Sequence, residues 1–497
     1  MAARDRTEAP QHRTAGNSVS SQSAQRDLTH HIAAVQQLRR SFQRLPADAA
    51  VRLAKPTSNL FRFRQSVDAP RLDVSAFTSV LNVDPETRTA EVGGMTTYED
   101  LVAATLPHGL MPLVVPQLRT ITLGGAVTGL GIESSSFRNG LPHESVQEIE
   151  ILTGTGDVVV ARPDNEHSAL FRGFPNSYGT LGYSLRLRIE LEPVRPYVQL
   201  RHLRFTTAEQ AMAAFTEICA TAEHAGERVD FVDGVAFAPG ELYLTLATFV
   251  DRAPWTSDYT GQDMYYKSIP RYAGPAPGDY LTTADYLWRW DTDWFWCSRA
   301  FGVQHPAVRR LWPRRWKRSD VYRRLVALDR RTDFSQLLAH YRGQPPTEPV
   351  IQDVEVDVER GAEFLDFFHA QIGMRPIWMC PLRLRPRGSA PTADPDPGVE
   401  QAPAWPLYPL APERLYVNFG FWGMVPRLPG LARDHHNRLI ETEVTRLGGH
   451  KSLYSDAFYT EDEFWRLYNG VGYRDLKDEY DPTGRLLDLY AKCVGNR

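Results

Sequence analysis

No stretch of the chain approaches the roughly 18–20 continuous apolar residues that a membrane-spanning helix requires. The first thirty residues are polar and contain no apolar segment, so they do not resemble a secretory signal. These two absences argue against an integral membrane protein and against export through such a signal. We therefore expect a cytoplasmic protein that touches the inner face of the membrane at most peripherally.

Cysteine is scarce as well. The four cysteines, Cys219, Cys297, Cys380 and Cys493, lie far apart and form no CxxC pair. Their spacing excludes a zinc ribbon and argues against a disulfide framework. We expect reduced thiols and no metal site.

An excess of positive charge is also lacking. The formal net charge is −4, whereas a nucleic-acid binder needs a basic surface to displace counterions. The sequence therefore predicts no nucleic-acid partner. Lysine supplies only 6 of the 56 basic residues, an arginine bias typical of a GC-rich genome such as an actinobacterial one. With 42% hydrophobic and 23% charged residues, the composition is that of a folded enzyme rather than a disordered chain.

Short strand-like and helical segments follow one another irregularly, which indicates an α+β protein rather than a regular βαβ array. In the first part of the chain the residue patterns predict helices over 28–42 and 97–108, and strands over 51–54, 79–83, 89–94, 148–154, 158–161 and 184–191. Farther on they predict helices over 208–224 and 362–372 and strands over 242–250 and 353–358. Residues 385–413 are proline-rich and predict a surface loop.

The most informative segment, 116–154, carries several glycines among threonine, serine and short apolar residues. Glycines at this density let backbone N–H groups approach a ligand closely, and oriented amides suit a pyrophosphate. The segment contains neither the GK[ST] of a Walker loop nor a GxGxxG that opens a long helix. On composition alone, a glycine-rich turn region explains the segment equally well.

The order of the residues resembles the FAD-binding domain of the vanillyl-alcohol oxidase superfamily, which is also called the PCMH type. In that family a loop near the N-terminus and a second, glycine-rich loop clasp the FAD pyrophosphate. Here residues 55–60 resemble the first loop, residues 122–140 the second, and residues 179–183 a later flavin and adenine contact segment. The resemblance implies an α+β protein in which a two-subdomain PCMH-type FAD-binding domain is joined to an α/β substrate (cap) domain.

The same resemblance gives domain boundaries and FAD contacts. We expect a disordered tail over 1–25, the FAD-binding domain over 26–195, the substrate or cap domain over 196–445, and a C-terminal segment over 446–497 that packs back on the FAD-binding domain. No histidine occurs in 51–64, so non-covalent FAD is expected. The implied FAD contacts are Pro56, Thr57, Ser58, Asn59, Leu60, Pro116, Gln117, Thr122, Leu123, Gly124, Gly125, Thr128, Gly129, Gly131, Ile132, Ser134, Ser135, Gly140, Gly179, Thr180 and Gly182.

Within the superfamily, the strings 131–136, 179–182, 376–381 and 453–465 resemble the Δ24-sterol reductases, and the resemblance runs from about residue 50 to the C-terminus. That group carries an N-terminal membrane helix, which is lacking here, and a shorter proline-rich stretch. Actinobacterial relatives that make 10-methyl fatty acids such as tuberculostearic acid are closer still. The resemblance implies NADPH as co-substrate, a phospholipid-bound acyl chain as lipid substrate, and a lipid methyltransferase as a partner.

Reduction of an isolated alkene requires a proton donor, because no carbonyl drains charge from the carbon that accepts hydride. Protonation would come first, from an acid within about 3 Å of the carbon. The candidates are Tyr454, Glu133, Lys451 and His450. Each has a structural alternative: a core strand for Tyr454, capping of backbone amides for Glu133, and a solvated turn for the other two.

The resemblance also implies that Arg289, Trp296 and Trp378 contact the substrate. The neighbouring acids Asp291 and Asp293 are expected to be solvated or paired with Arg289 rather than catalytic.

The stretch 309–331 contains ten arginines and lysines against two aspartates, with two tryptophans between them. It is interpreted as a solvated helical face or as a peripheral contact with anionic phospholipid, since basic residues meet headgroups while indoles settle in the interface. A third interpretation is an arginine that binds the NADPH 2′-phosphate.

The leading hypothesis for the function is an FAD- and NADPH-dependent reductase of a lipid double bond, most specifically the 10-methylene group of a fatty acyl chain. Two alternatives share the fold: a sterol side-chain reductase, and an oxidase of a sugar, lactone or polyprenyl-linked sugar. A non-enzymatic alternative is a flavoprotein that serves as a scaffold for a lipid methyltransferase.

Overall fold

The computed structural model describes residues 15–55, 61–62, 69–274, 278–332, 345–386 and 404–495. In this part of the chain, two large antiparallel sheets and their helices form an N-terminal unit and a second unit. The predicted class, a mixed α and β protein with an FAD-type domain and a second domain, is confirmed. The predicted FAD contacts Pro56, Thr57, Ser58, Asn59 and Leu60 lie outside the described residues.

The N-terminal unit comprises strands β1 Arg52–Ala54, β2 Arg71–Asp73, β3 Val80–Asp84, β4 Thr89–Gly93, β5 Leu110–Pro112, β6 Val146–Leu152, β7 Val158–Ala161 and β8 Tyr183–Pro193, with helices α1 Ala15–Gln43, α2 Tyr98–Thr105, α3 Leu123–Gly129, α4 Ser136–Asn139 and α5 Ser168–Gly173. Its sheet has the order β3-β4-β8-β6-β7, and β5 pairs with the end of β8. Leu185, Leu187, Ile189 and Leu191 are buried at every second position of β8. This period of two is typical of a strand with one face in the core.

The second unit comprises strands β9 Tyr197–Phe205, β10 Glu223–His224, β11 Glu227–Arg228, β12 Phe231–Ala238, β13 Glu241–Val250, β14 Asp279–Thr282, β15 Thr347–Asp357, β16 Ile377–Leu382, β17 Tyr416–Pro426 and β18 His450–Lys451, with helices α6 Ala208–Thr221, α7 Tyr265–Arg271, α8 Thr283–Leu287, α9 Pro306–Leu311, α10 Ser319–Thr332 and α11 Gly361–Gln371. Eight of these strands form one sheet in the order β14-β9-β13-β12-β16-β17-β15-β18.

The two faces of this large sheet differ in character. On β15, Val350, Val354 and Val356 pack with α6 and α11 in one hydrophobic core. Successive side chains of a strand point to opposite faces, so Asp353 and Glu355 point away from those helices. That second face is turned toward the N-terminal unit.

The C-terminal part holds helices α12 His435–Arg446, α13 Glu461–Leu467 and α14 Gly470–Tyr480 and a short π-helix, Ala491–Gly495. Lys477 Nζ donates to the Thr180 carbonyl at 2.8 Å, and Lys492 Nζ donates to the Tyr178 carbonyl at 2.6 Å. These bonds join the last fifty residues to the N-terminal unit. Among the helices of the described ranges, none combines the length and the apolar character needed to cross a membrane.

Two predictions about irregular segments differ from the structure. Helix α1 begins at Ala15, so residues 15–25 are helical where a disordered tail was predicted; residues 1–14 lie outside the described ranges. The end of the proline-rich stretch is also not a surface loop, since Leu407, Tyr408 and Leu410 are buried. Apolar side chains in this stretch pack into the core, which composition alone does not reveal. Residues 387–403 lie outside the described ranges.

Candidate active site

A cavity of about 720 Å³ lies between the two units. Its volume is within the range of roughly 300–1,000 Å³ that is typical of small-molecule and cofactor sites. One wall comes from the N-terminal unit and is rich in glycine. The opposite wall is aromatic and consists of Phe61, Trp294, Phe295, Trp378, Trp422 and Tyr454.

The glycine-rich wall is built around α3. Thr122 caps this helix, and its Oγ1 accepts a hydrogen bond from the Gly125 amide at 3.2 Å. A Cβ at Gly124 would overlap Ser184 Oγ and lie 2.6 Å from the Gly94 carbonyl oxygen, so packing of α3 on the sheet requires this glycine. A Cβ at Gly125 would lie 2.8 Å from Thr122 Oγ1. The missing side chains leave backbone exposed to the cavity.

Lys55 reaches the same wall from the end of β1. Its Nζ donates to Thr122 Oγ1 at 3.4 Å. Burial, together with the charge of Arg323, lowers the pKa of Lys55 to about 8. An anionic group in the cavity would favour the charged amine and raise this pKa again. Lys55 is therefore suited to contact a pyrophosphate.

Two further donors on the cavity wall lack acceptors among the described residues. They are Gln117 Nε2 and one terminal nitrogen of Arg62, whose guanidinium stacks 4.2 Å from the centre of the Tyr178 ring. Buried donors are normally satisfied, so these two are suited to a polar ligand. With Lys55 and the exposed glycine backbone, they fit a dinucleotide cofactor that carries oxygen acceptors and negative charge.

Most of the predicted FAD contacts of the glycine-rich segment lie on this wall. The ones that line the cavity are Pro116, Gln117, Thr122, Gly124, Gly125, Thr128, Gly129, Gly131, Ile132, Gly179 and Gly182. Their contact with FAD stays a prediction, since it follows from position alone.

Five other predicted contacts lie behind the wall, and each has a structural task. Leu123 belongs to the core, Ser134 and Ser135 bond to Tyr286 and to the Leu113 carbonyl, and Thr180 bonds to the Ser177 carbonyl. Gly140 has a φ of 68°, which a side chain rarely adopts. Sequence order alone could not separate residues that line the cavity from those that support it.

Apart from the Tyr454 hydroxyl, the aromatic wall presents mainly ring faces to the cavity. Phe295 and Trp422 have ring centroids 4.2 Å apart, and Phe61 stacks on Trp294 at 5.5 Å. The indole N–H of Trp422 is already bonded to Tyr454 Oη at 2.8 Å, and that of Trp378 to Asp233 Oδ2 at 3.2 Å. This part of the cavity therefore suits a hydrocarbon.

An acid that sequence reasoning overlooked, Asp353 of β15, also lines the cavity. Its carboxyl accepts from Asn418 Nδ2 at 3.2 Å. Burial raises the pKa of Asp353 to about 7, and the neighbouring Asn418 amide and Tyr454 hydroxyl oppose the rise. A carboxyl with such a pKa can hold a proton near neutral pH. The available signal was the alternation of acids with valines in 353–358, a pattern that ordinarily indicates a solvent-exposed face.

Tyr454, predicted as a catalytic candidate, borders the same cavity. It follows β18 in a turn rather than in the core strand considered as its alternative. Burial and the neighbouring Asp353 raise the pKa of Tyr454 well above its usual value. The phenol is therefore a hydrogen-bonding group rather than a ready acid.

Glu133 and Arg289, predicted as catalytic and substrate residues, lie behind the aromatic wall and do not line the cavity. One terminal nitrogen of Arg289 lies 2.9 Å from both Glu133 Oε1 and Asp233 Oδ2. Its guanidinium also stacks 4.0 Å from the centre of the Tyr286 ring. This buried ion cluster joins the two units, so their positions support a structural role in place of the predicted contacts.

Lys451 and His450 form β18 rather than a solvated turn, and neither lines the cavity. Lys451 is fully buried, and its Nζ lies 2.8 Å from Glu441 Oε1. Burial lowers the pKa of His450 to about 4. The position of Lys451 therefore does not support a role in catalysis, because its ammonium group is engaged away from the cavity.

The remaining predicted residues divide between the wall and the core. Trp378 lines the cavity, whereas Trp296 packs behind it, with its ring centroid 5.5 Å from that of Trp422. Asp291 and Asp293 are neither solvated nor paired with Arg289. Asp291 Oδ1 accepts from the Arg119 amide at 3.1 Å, and Asp293 Oδ1 accepts from a guanidinium nitrogen of Arg309 at 2.6 Å. These contacts are long-range in sequence, and spacing could not predict them.

Residues 48–162 match the FAD binding domain family. The chain is similar to Delta(24)-sterol reductase of Arabidopsis thaliana, with 25% identity over 451 residues that cover 86% of this chain and 77% of the relative. It is also similar to Delta(24)-sterol reductase of Homo sapiens, with 26% identity over 425 residues that cover 83% and 75%. A shorter similarity links it to Cytokinin dehydrogenase 10 of Oryza sativa subsp. japonica, at 28% identity over 154 residues that cover 31% and 28%.

These similarities support a place in the PCMH-type FAD-binding superfamily, among proteins similar to Δ24-sterol reductases. The matched domain supports FAD as the cofactor, and it contains most of the glycine-rich wall of the cavity, from Pro116 to Ile132. The relatives are sterol reductases by name, so a fatty acyl substrate stays a prediction.

Proposed function

We propose that this FAD-dependent oxidoreductase uses NADPH to reduce an isolated double bond in a lipid, and that the bond is the 10-methylene group of a phospholipid-bound fatty acyl chain. The observation that carries the proposal is the cavity itself. It joins the glycine-rich wall of the FAD-type domain to an aromatic wall that holds an acid, Asp353. Cofactor, hydrocarbon and proton source would thus meet in one cavity.

When bound, reduced FAD would supply a hydride, and NADPH would restore the reduced cofactor. The chain's own residues would hold the alkene, exclude water and deliver a proton. Protonation of the exocyclic carbon of a 10-methylene group leaves a tertiary cation at the branched carbon. The rings of Phe295, Trp378 and Trp422 surround this space, and desolvated aromatic faces stabilise a cation by about 2 kcal/mol.

The alternatives within the fold differ in what they require of the cavity. A sugar or lactone needs hydrogen-bond partners for its oxygens, and both the Trp378 and Trp422 N–H groups are already engaged. The aromatic wall therefore favours a hydrocarbon. The relatives' name, Delta(24)-sterol reductase, supports reduction of a lipid double bond and keeps a sterol side chain as the second candidate.

The proposed function is tested with purified, FAD-loaded protein, NADPH and two lipids offered separately: 10-methylene-stearoyl phospholipid and desmosterol. We expect mass spectrometry to show two added hydrogens on the methylene lipid and none on desmosterol. Reduction of desmosterol alone would move the assignment to the sterol branch. Oxygen consumption with a sugar or lactone, without use of NADPH, would overturn it in favour of an oxidase. A protein that captures a lipid methyltransferase yet turns over no lipid would be a scaffold.

A lipid substrate requires a route from the bilayer, and the segment 305–316 supplies the surface that we assign to it. Leu311 is 84% exposed and Trp316 47% exposed. Arg310, Arg314 and Arg315 are exposed beside them, and no acidic residue occurs between Asp293 and Asp320 in the sequence. Arg314 also lies 2.7 Å from Asp258 Oδ2, in an ion pair in which both side chains are at least half exposed. Cationic and apolar side chains together fit the headgroup region of an anionic bilayer.

In the structure, fewer basic residues of 309–331 are available for membrane contact than the sequence predicted. Arg309 is buried against Asp293, Lys317 is buried, and Arg318 lies 2.7 Å from Glu99 Oε2. These three residues are engaged within the protein. A uniformly solvated face over 309–331 is therefore wrong, and only part of the stretch is free to meet phospholipid.

Replacing Arg310, Arg314 and Arg315 together with glutamine should weaken binding to anionic vesicles by at least about tenfold, because each basic residue near such a surface contributes about 1 kcal/mol. The effect should shrink as salt screens the charges. Co-sedimentation with vesicles of phosphatidylglycerol and phosphatidylcholine measures it. The matched control replaces the exposed Arg44 and Arg252, and Arg466 of α13, with glutamine. Equal binding by both triple variants would show that only net charge matters.

A further inference from the structure

The strand β15 places two buried carboxyls on the face of the sheet that is turned toward the N-terminal unit. Asp353 lines the cavity, while Glu355 lies two residues along and does not. Each has a tyrosine beside it: the Tyr408 hydroxyl donates to Glu355 Oε2, and the Tyr454 hydroxyl lies close enough to Asp353 to lower its pKa. Opposite Asp353, a Cβ at Gly420 would lie 2.5 Å from Asp353 Oδ1, so β17 leaves room for the carboxyl there.

The neighbours of Asp353 are donors, so the proton of its own carboxyl can be donated into the cavity. Asn418 Nδ2 donates to Asp353, and Tyr454 Oη already accepts from Trp422 Nε1, which leaves the Tyr454 hydrogen able to turn toward the nearby carboxyl. Both neighbours can thus act as donors to Asp353. A protonated Asp353 can therefore direct its O–H into the cavity.

We infer that Asp353 is the general acid that protonates the substrate alkene, and that Tyr454 positions it. The inference rests on the proposed function and names the proton donor at that site. In the step, the Asp353 O–H bond breaks and a C–H bond forms at the less substituted carbon. The two electrons of the double bond make this new bond, the neighbouring carbon becomes a cation, and Asp353 becomes a carboxylate. A hydride, which reduced FAD would supply when bound, would complete the saturated product.

Other titratable groups lie around Asp353. Glu355 is on the same strand, and burial together with Asp353 raises the pKa of Glu355 well above its usual value. Tyr454 and Tyr178 lie on the cavity wall, with Arg62 stacked on Tyr178. On the neighbouring strand β18, Lys451 is directed to Glu441 instead. Asp353 thus keeps its proton near neutral pH mainly because it is buried.

The first test replaces Asp353 with asparagine, which keeps the shape and the hydrogen bonds but carries no acidic proton. We expect the rate of alkene reduction to fall by at least about 100-fold, the lower end of what a general acid contributes. Reduction of the bound flavin by NADPH should remain unchanged, because that half-reaction does not use Asp353. The matched control is Glu355→Gln, which removes a buried carboxyl outside the cavity and should retain turnover.

The pH dependence supplies a second, independent readout. The protonated form of Asp353 is the active one, so the wild-type rate should fall as pH rises through about 7. The neighbouring Tyr454 hydroxyl lowers the Asp353 pKa, so Tyr454→Phe should move this limb of the profile to higher pH. Infrared difference spectra of the full chain should show a carboxyl band that titrates near pH 7 and is lost in Asp353→Asn.

The outcomes separate this inference from the proposed function. If wild-type protein reduces the alkene and Asp353→Asn does so within a few fold, with the same pH limb, Asp353 is not the acid, although the function stands. If wild-type protein is reduced by NADPH but reduces no alkene, the proposed function itself fails. A Tyr454→Phe profile that coincides with the wild-type profile would remove the positioning role.

Discussion

Replacing Arg289 with leucine is expected to destabilise the folded chain by about 3–5 kcal/mol, because removal of one partner leaves buried charge without compensation. Arg289 is 3% exposed and lies between Glu133 of the N-terminal unit and Asp233 of the second unit. The cluster also supports the aromatic wall, since Asp233 Oδ2 accepts from the Trp378 indole. The cost should appear in the denaturant midpoint of unfolding.

The pH dependence of this loss identifies its cause. Burial already raises the pKa of Glu133, and the Arg289 charge opposes that rise. Without the guanidinium the folded-state pKa rises further, so the variant should lose more stability at about pH 8 than at about pH 5. Adding Glu133→Gln and Asp233→Asn should recover part of the loss. The exposed Arg252→Leu is the control, and an equal midpoint for Arg252→Leu and Arg289→Leu would contradict the account.

Gly125→Val should abolish retention of FAD while leaving the chain folded. Gly125 lines the cavity, and a Cβ there would lie 2.8 Å from Thr122 Oγ1 and 4.0 Å from Lys55 Nζ. The two additional methyl groups of valine would occupy the space that the glycine-rich wall leaves for the cofactor. Absorbance of the purified protein gives the flavin content, and circular dichroism reports the fold.

Gly125→Ala is the matched control for this substitution. Its single methyl group meets the Thr122 side chain at 2.8 Å and requires a small shift there, so FAD should be retained with weakened affinity. A yellow, fully loaded Gly125→Val protein would contradict the assignment of this wall to the cofactor. If both variants are colourless and unfolded, the loss of FAD results from disturbed packing of α3 rather than from a lost cofactor contact. Lys55→Met then tests the same wall without altering the helix.

The sequence predicted those parts of the site that come from one continuous segment, and it failed for those that depend on tertiary contacts. The glycine-rich segment is one continuous stretch, and its order located the cavity wall around Gly124 and Gly125. The ion pairs of Arg289 join distant parts of the chain, and Lys451 pairs with Glu441 of the preceding helix α12, so the burial of both could not be read from their immediate neighbours. From the sequence alone, Arg289 was predicted to contact the substrate, and Lys451 to act in catalysis or to lie in a solvated turn.

Asp353 shows a different reason for a missed residue. The acids in 353–358 alternate with valines, which correctly predicts a strand. Alternation identifies two faces but not what covers the polar one. Here the face that bears Asp353 meets the cavity between two units, a fact that depends on tertiary packing. The exposed part of the basic stretch near Leu311 was likewise visible only once buried and exposed arginines could be separated.

The most direct measurement of the central claim is an anaerobic single turnover followed by flavin absorbance. NADPH should bleach the bound flavin, and 10-methylene-stearoyl phospholipid should then restore its colour with formation of the 10-methyl product. Asp353→Asn should bleach at the wild-type rate and regain colour at least about 100-fold more slowly. A flavin that NADPH never bleaches, or a reduced flavin that oxygen reoxidises but no alkene does, would contradict the account.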